Sequence, residues 1–154
     1  MNPRFMQVSI ELALEGIEKG HGPFGAVVVK GKDLVGFGTN QVTSTNDPTA
    51  HAEICAIRNA CAGLKTFSLA GCEIYTSCEP CPMCLGAIYW ARIDKIYYGA
   101  TRTDAAKVNF DDHRFYEEIS KEPESRAIPM IQLLREDCIK VFDAWERNGK
   151  KIPY

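Results

Sequence analysis

Two short motifs carry side chains that can bind a metal ion. The first is His51-Ala52-Glu53, and the second, about thirty residues later, is Cys81-Pro82-Met83-Cys84. Imidazole nitrogens and cysteine thiolates are ligands that zinc prefers. A Cys-x-x-Cys pair at the start of a helix places both sulfurs on one side, and the helix N-terminus favours their thiolate forms. The two motifs together can therefore form a zinc site, with His51, Cys81 and Cys84 as three candidate ligands.

The number of ligands predicts what the metal does. Three protein ligands leave the fourth tetrahedral position of zinc open to water, which is the arrangement of a catalytic site. Zinc lowers the pKa of a bound water from about 15.7 to about 7, so hydroxide becomes available at neutral pH. Glu53 follows the histidine by two residues and could carry a proton from this water to a substrate. We interpret Glu53 as the catalytic acid and base, because coordination by Glu53 would close the site.

Cys78 leaves a second interpretation open. Cys78-Glu79-Pro80-Cys81 is also a Cys-x-x-Cys motif, and spacing alone cannot choose between the two pairs. Three cysteines together with His51 would close a structural zinc site, and the chain would then be a non-catalytic binding module. The predicted helix start at the second pair, together with the nearby glutamate, favours catalysis.

The elements that position these motifs alternate between strands and helices. An apolar stripe from Met6 to Ile17 predicts an amphipathic first helix that ends at Gly20. The pattern predicts a three-layer α/β/α sandwich around a central mixed five-stranded sheet. The predicted strands are residues 26–29, 34–39, 72–77, 95–98 and 128–134, and the further helices are residues 49–64, 83–92, 103–120 and 136–147, with a loop at residues 40–50.

Length and composition narrow the class of protein. A chain of 154 residues with 45% apolar and 25% charged residues predicts one globular domain. A net charge of −2 gives no basic surface for nucleic acid, and no segment resembles a membrane span or a targeting signal. Seven cysteines, an odd number that is partly clustered, suit metal binding in a reducing cytoplasm better than disulfide pairing. We therefore expect a cytoplasmic protein with a small-molecule partner, and no nucleic acid or membrane partner.

The motifs resemble those of the cytidine-deaminase-like zinc deaminases, whose signature is H-x-E followed by P-C-x-x-C. Three further segments resemble the bacterial guanine deaminases of this superfamily. These are Asn46-Asp47-Pro48-Thr49-Ala50, Ser77-Cys78-Glu79-Pro80 and Phe110-Asp111-Asp112. The resemblance extends over nearly the whole chain. It implies the cytidine-deaminase-like fold and one catalytic zinc per subunit on His51, Cys81 and Cys84, with Cys78 outside the coordination sphere.

The resemblance also implies a substrate. Guanine would be hydrolysed to xanthine and ammonia, as in purine catabolism, and Glu53 would protonate a ring nitrogen and the leaving group. By similarity, Asn40 would hydrogen-bond the purine, Phe24 would line the pocket, and Asp112 would accept hydrogen bonds from guanine. Such a carboxylate would disfavour bases that lack these donors.

The resemblance further implies a homodimer with exchanged C-terminal segments. Residues 136–154 would cross to the partner subunit, so that Tyr154 would close the partner's site. The chain departs from its relatives at Asn109, where glycine is common, and in its tail Lys151-Ile152-Pro153-Tyr154. Either departure can alter the choice of substrate.

Several alternatives stay open from the sequence. Deaminases of guanosine, cytosine or the aminotriazine ammeline share the predicted chemistry, and so does a tRNA adenosine deaminase, although the acidic charge and the Phe-Asp-Asp segment disfavour RNA. Glu79 is either a second acid beside the metal or a structural hydrogen-bonding group. Trp90 either borders the pocket or packs as a core or interface aromatic. Ala52, the middle residue of the first motif, is a further candidate site residue.

Overall fold

The structure is a computed structural model that describes the whole chain, residues 1–154. It contains two compact units, Met1–Asp112 and His113–Tyr154. The first unit holds all the strands, and the second is helical. None of the helices combines the length and apolar character that crossing a membrane requires.

The first unit alternates helices and strands along the chain, as the sequence pattern predicts. Its main helix boundaries follow local chemistry: Pro3 begins α1, where a missing N–H costs no hydrogen bond, and Asn2 caps that helix by accepting from the Arg4 N–H at 3.1 Å. The elements are α1 Pro3–Glu18, β1 Gly25–Lys30, β2 Asp33–Thr39, α2 Val42–Thr45, α3 Ala52–Leu64, β3 Cys72–Cys78, α4 Pro82–Trp90, β4 Lys95–Ala100 and α5 Arg102–Ala106. The short helix α2 lies within the predicted loop.

The sheet is mixed and has four strands in the order β2-β1-β3-β4. Strand β1 runs antiparallel to β2 and β3, and β3 runs parallel to β4. The prediction of a fifth strand over residues 128–134 is wrong, because this segment lies in the second unit and adopts no regular structure. Pro129 has no N–H to donate to a neighbouring strand, and Leu134 adopts a left-handed φ of 50°, which ends an extended run.

Helices cover both faces of the sheet in the first unit, so the predicted α/β class with helices on two sides is confirmed. One face packs against α1 through a cluster around Val27, Val29 and Tyr75. The other face packs against α3 and α4 through a larger cluster that includes Val28 and Ile74. Because β1 is buried on both faces, it is a continuous apolar run rather than an alternating one.

Two glycines of β2 allow α3 to lie very close to the sheet. A Cβ atom at Gly36 would lie 2.5 Å from the Ala56 carbonyl oxygen, and one at Gly38 would lie 2.6 Å from the Ala56 nitrogen and overlap the Ala52 carbonyl. Atoms cannot approach this closely, so any side chain here displaces the helix. The glycines therefore fix the distance between the sheet and the first turn of α3, which begins at Ala52 directly after His51.

The second unit is built from α6 His113–Ser120, a 3₁₀ turn Pro123–Ser125 and α7 Arg135–Arg147. Glu118 ties α6 to the following segment by accepting from the Ala127 N–H at 2.6 Å. The prediction of one helix over residues 103–120 is wrong, since α5 ends at Ala106 and α6 begins at His113. Asn109 adopts a left-handed φ of 68° between them, which no α-helix can contain.

We expect Gly38→Ala to destabilise the protein by about 1–3 kcal/mol, the usual cost of forcing atoms into a close-packed contact. The measurement is the free energy of unfolding from urea titration. Gly63→Ala is the matched control, because a Cβ there would lie 3.8 Å from the nearest atom, the Val35 carbonyl oxygen, at ordinary contact distance. An unchanged stability of Gly38→Ala would contradict the role assigned to the close approach.

Candidate active site

The candidate site lies at one edge of the sheet, where β1 begins and the other three strands end. The register places Gly25 at the start of β1 opposite Thr39 at the end of β2, and Cys78 at the end of β3 beside Ala100 at the end of β4. Loops at this edge carry most of the residues that the sequence singles out. Phe24 precedes β1 at this edge, and Asn40 follows β2. Cys78 ends β3, Glu79 and Cys81 follow it, and Thr101 follows β4.

Helix α3 presents His51 and Glu53 from its first turn. His51 is the N-cap residue, with extended φ and ψ of −69° and 159°, and its carbonyl accepts from the Cys55 N–H at 3.0 Å. The Gln41 N–H donates to the Ala50 carbonyl at 2.8 Å, which ties the chain before the histidine to the end of β2. The motif residue Ala52 is fully buried against β2. The packing of α3 against β2 therefore fixes the backbone positions of His51 and Glu53.

Helix α4 presents the two cysteines in the same way. Cys81 is the N-cap residue, Pro82 occupies the first helical position, and Cys84 follows within the first turn. The Cys81 carbonyl accepts from the Leu85 N–H at 2.8 Å, so the helix is closed from its first turn. Proline at this position loses no intrahelical hydrogen bond, and its fixed φ favours the helix start. Both sulfurs therefore lie at the positive end of the α4 dipole.

The three predicted ligands converge on one point. The His51 Nδ1 atom lies 3.6 Å from the Cys81 Sγ and 3.5 Å from the Cys84 Sγ, and the three atoms lie within 4.8 Å of one another. Tetrahedral zinc with usual bond lengths of about 2.3 Å to sulfur and 2.0–2.1 Å to nitrogen separates such atoms by about 3.6 Å. The donor set and its spacing therefore fit zinc, with Nδ1 as the histidine donor.

The cluster favours negative charge on sulfur. The hydrogen bond from the Cys84 thiol, with a further one from His51, lowers the pKa of Cys81 to about 4. The same shared hydrogen bond raises the pKa of Cys84, because one thiol keeps its proton while the other is ionised. Contact with Cys81 raises the pKa of His51. A dication among these groups would displace the shared protons and ionise both thiols.

Cys78 lies apart from this cluster. Its thiol donates to the Thr101 carbonyl at 3.6 Å, and burial, followed by the charge of Glu53, raises its pKa to about 11. The three-atom cluster of His51, Cys81 and Cys84 does not include Cys78, which argues against the closed four-ligand site.

Glu53 is a buried carboxyl group beside the cluster. Only 6% of the residue is exposed, and burial is the main cause of a raised pKa, with the negative charge of Cys81 acting in the same direction. Its own backbone N–H opposes the shift. A buried carboxyl group beside the three candidate ligands is placed to accept and return a proton, as a general acid and base must.

Asn40 and Phe24 lie together at the sheet edge. Asn40 is 6% exposed, its Oδ1 accepts from the Val42 N–H at 3.2 Å, and its N–H donates to the Phe24 carbonyl at 3.1 Å. A Cβ atom at Gly22 would lie 3.1 Å from the Asn40 Cγ. The glycine therefore leaves room for the Asn40 amide, directly after β2 at this edge of the sheet.

Asp112 and its neighbour Phe110 belong to the segment after α5. The Phe110 ring packs edge-on against Phe24, with ring centroids 4.9 Å apart. Burial raises the pKa of Asp112, the charge of Cys81 adds to the shift, and Arg102 opposes it. The contact between Phe110 and Phe24 places this segment at the same edge of the sheet as the candidate ligands.

The remaining predicted residues fall in different places. Trp90 is the last residue of α4 and is 67% exposed, about 12 Å along the helix axis from Pro82 at the usual helical rise. Tyr154 belongs to the second unit and is 70% exposed. Glu79 accepts from the Arg102 N–H at 3.0 Å. Sequence reasoning missed Thr101 and Arg102, although Thr101-x-x-Asp104 is a capping-box pattern that signals a helix start.

The chain belongs to the family of zinc deaminases described as the cytidine and deoxycytidylate deaminase zinc-binding region, which its residues 1–100 match. It is a zinc-dependent hydrolase of that family, and the donor set described above supports zinc as its metal.

Within this family the chain is similar to guanine deaminases over its full length. It is 50% identical over 151 residues, or 97% of each chain, to the guanine deaminase of Bacillus subtilis. The X-ray structure of guanine deaminase from that organism superimposes with a TM-score of 0.97 at 49% identity, covering 100% of this chain and 99% of that one. A tRNA-specific adenosine deaminase of Aquifex aeolicus is 43% identical over 96 residues, which are 62% of this chain and 64% of the relative.

We expect Cys84→Ser to lose bound zinc, because the variant removes one of three sulfur and nitrogen donors. Cys78→Ser is the matched control, since it makes the same atomic change in a buried cysteine outside the cluster. Metal analysis by mass spectrometry after dialysis against a weak chelator checks both variants. Equal zinc loss from the two would point to a four-ligand site.

Proposed function

We propose that this chain hydrolyses guanine to xanthine and ammonia, with one catalytic zinc in each subunit. The observation that carries the chemistry is the three-donor cluster of His51, Cys81 and Cys84 beside the buried carboxyl of Glu53. The choice of guanine rests on the full-length similarity to a guanine deaminase and on the groups at the sheet edge. None of the seven cysteines is paired in a disulfide, which is consistent with action in a reducing compartment such as the cytoplasm.

When bound, zinc supplies a water of lowered pKa that is nucleophilic at neutral pH. Glu53 transfers the protons in this reaction. Its carboxylate takes one proton from the attacking water and delivers it to the ring nitrogen next to the amine-bearing carbon. It then transfers the second water proton to the exocyclic amine, which leaves as ammonia while the water oxygen becomes the new oxo group of xanthine. The burial of Glu53 beside the three candidate ligands places one carboxyl group within the site for both transfers.

Three side chains hold and select the base. Phe24 offers an aromatic face, the Asn40 amide donates to a purine acceptor, and the Asp112 carboxylate accepts from the N–H groups of guanine. Adenine lacks the N1–H and the 2-amino group of guanine, so it would leave the carboxylate without these donors. An unpaired buried acceptor costs about 1–3 kcal/mol, or more when charged, which gives selectivity for guanine.

A second candidate is adenosine deamination in tRNA, which the similarity to the Aquifex aeolicus relative favours. The catalytic groups would serve that reaction equally well. The net charge of −2 opposes it, because affinity for RNA depends largely on basic side chains.

The chain further acts, in our proposal, as one domain in a homodimer whose C-terminal segments, residues 136–154, are exchanged. Support comes from apolar side chains that are exposed in the second unit. Ile131 is 86% exposed and Phe142 on α7 is 69% exposed, and such clusters commonly mark protein interfaces. Tyr154, at the end of this segment, would then complete the partner subunit's site.

We expect Glu53→Gln to lower kcat for guanine by about 10²–10⁴-fold, the usual contribution of a positioned acid and base. Ammonia release measures activity, and metal analysis should show that zinc is retained. Glu15→Gln is the control, since Glu15 makes only an exposed ion pair with Lys19 on α1. Undiminished turnover by Glu53→Gln would remove Glu53 from the mechanism. Wild-type activity on guanosine, cytosine, ammeline or adenine but not on guanine would overturn the substrate.

Exchange of the C-terminal segment predicts complementation between two inactive chains. A chain that lacks Tyr154 and a Glu53→Gln chain should together form heterodimers with one complete site. At equal mixing, half of the dimers are mixed and each has one of two sites, so about a quarter of wild-type activity is expected. Verified mixed dimers without activity would contradict action of Tyr154 in the partner's site.

A further inference from the structure

Glu79 connects the loop that carries Cys81 to the start of α5. It lies two residues before Cys81, and its carboxylate Oε2 accepts from the Arg102 N–H at 3.0 Å. Its own N–H donates to the Ala100 carbonyl at 2.8 Å. The parallel pairing of β3 and β4 ends at Cys78 and Ala100, so the Glu79 side chain extends the junction beyond the last strand pair.

The bond to Arg102 completes the N-terminus of α5. The first N–H groups of a helix have no partner within it. A capping box serves two of the groups at this end, because the Thr101 hydroxyl accepts from the Asp104 N–H and the Asp104 carboxylate accepts from the Thr101 N–H. Arg102 is the first residue of α5, and its N–H is served by Glu79 instead.

Helix α5 leads directly to the proposed base-binding residues. At its C-terminal end the Phe110 N–H donates to the Ala105 carbonyl and the Asn109 N–H donates to the Ala106 carbonyl, both at 3.1 Å. These bonds make a tight connection from α5 to Phe110, and Asp112 follows two residues later.

We propose that Glu79 is a positioning residue that sets where Asp112 stands relative to Cys81 and the other metal ligands, and thereby sets the affinity for the base. The inference rests on the proposed function, in which Asp112 binds guanine. It assigns Glu79 no proton transfer, because its carboxylate is engaged with a backbone N–H. Glu79 acts instead on both loops at once.

The test compares Glu79→Ala with Glu79→Gln, which keeps an oxygen acceptor. We expect Glu79→Ala to raise KM for guanine about tenfold with kcat within threefold of wild type, because a misplaced contact weakens binding of the base. Zinc content should stay the same, and Glu79→Gln should stay within twofold of wild type in KM. Glu15→Ala controls for loss of a carboxylate elsewhere.

A second pair of variants removes the same hydrogen bond from its donor side. Arg102→Pro deletes the N–H at the first helical position, where proline is well tolerated, and Thr101 before it is already extended at φ −90° and ψ 164°. Arg102→Ala loses the guanidinium but keeps the N–H. We expect Arg102→Pro to raise KM relative to Arg102→Ala by about as much as Glu79→Ala raises it relative to wild type. The double variant Arg102→Pro with Glu79→Ala should raise KM little further than either single variant.

Hydrogen exchange separates this proposal from the proposed function. Faster amide exchange over residues 101–112 in Glu79→Ala, but not in Glu79→Gln, supports the positioning role whatever the substrate. Unchanged amide exchange in Glu79→Ala would overturn the positioning role. A loss of kcat in both Glu79→Ala and Glu79→Gln would also overturn it, because it would indicate that Glu79 acts as an acid. Zinc loss with equal falls in kcat and affinity would also overturn it. A wild-type protein inactive on guanine would overturn only the proposed function.

Discussion

The metal cluster depends on how closely α3 approaches the β1–β2 pair. Gly36 and Gly38 let backbone atoms of α3 stand against backbone atoms of β2, so the helix position is determined by atomic contact and not by adaptable side chains. His51 caps that helix, and its Nδ1 must reach two sulfurs carried by α4 on the same face of the sheet. A shift of either helix by 1 Å would spoil a separation of about 3.6 Å that zinc requires.

The same packing creates the electrostatic character of the site. Burial of Glu53 raises its pKa, yet the first turn of α3 and its backbone N–H favour the ionised form. Cys81, at the N-terminus of α4, is held as a thiolate by its neighbours. Two negative groups would repel one another in such a buried space, and a bound dication relieves that repulsion. The site is therefore organised around a cation that its own charges favour.

The sequence predicts the parts of this site that short-range chemistry determines. The spacing of His51, Cys81 and Cys84 and the apolar run of β1 follow from local rules. The link from Glu79 to Arg102 depends on the parallel register of β3 and β4, which a sequence does not display. Residues 128–134 form an apolar run that periodicity alone cannot distinguish from a strand, and Pro129 with the left-handed Leu134 prevents one. Asn109 divides a predicted helix because asparagine tolerates a positive φ.

The residues proposed to catalyse the reaction and the residues proposed to select the substrate lie in different parts of the chain. The groups proposed to act on water lie at the first turns of α3 and α4, within the residues 1–100 that match the family. Phe110 and Asp112, proposed to contact the base, lie beyond that range and are reached through α5. Loops attached to a rigid sheet edge can change without disturbing the core. A shared zinc chemistry can therefore serve guanine in one relative and adenosine in tRNA in another. In our proposal, selectivity in this chain depends on how the segment after β4 is positioned relative to the metal ligands.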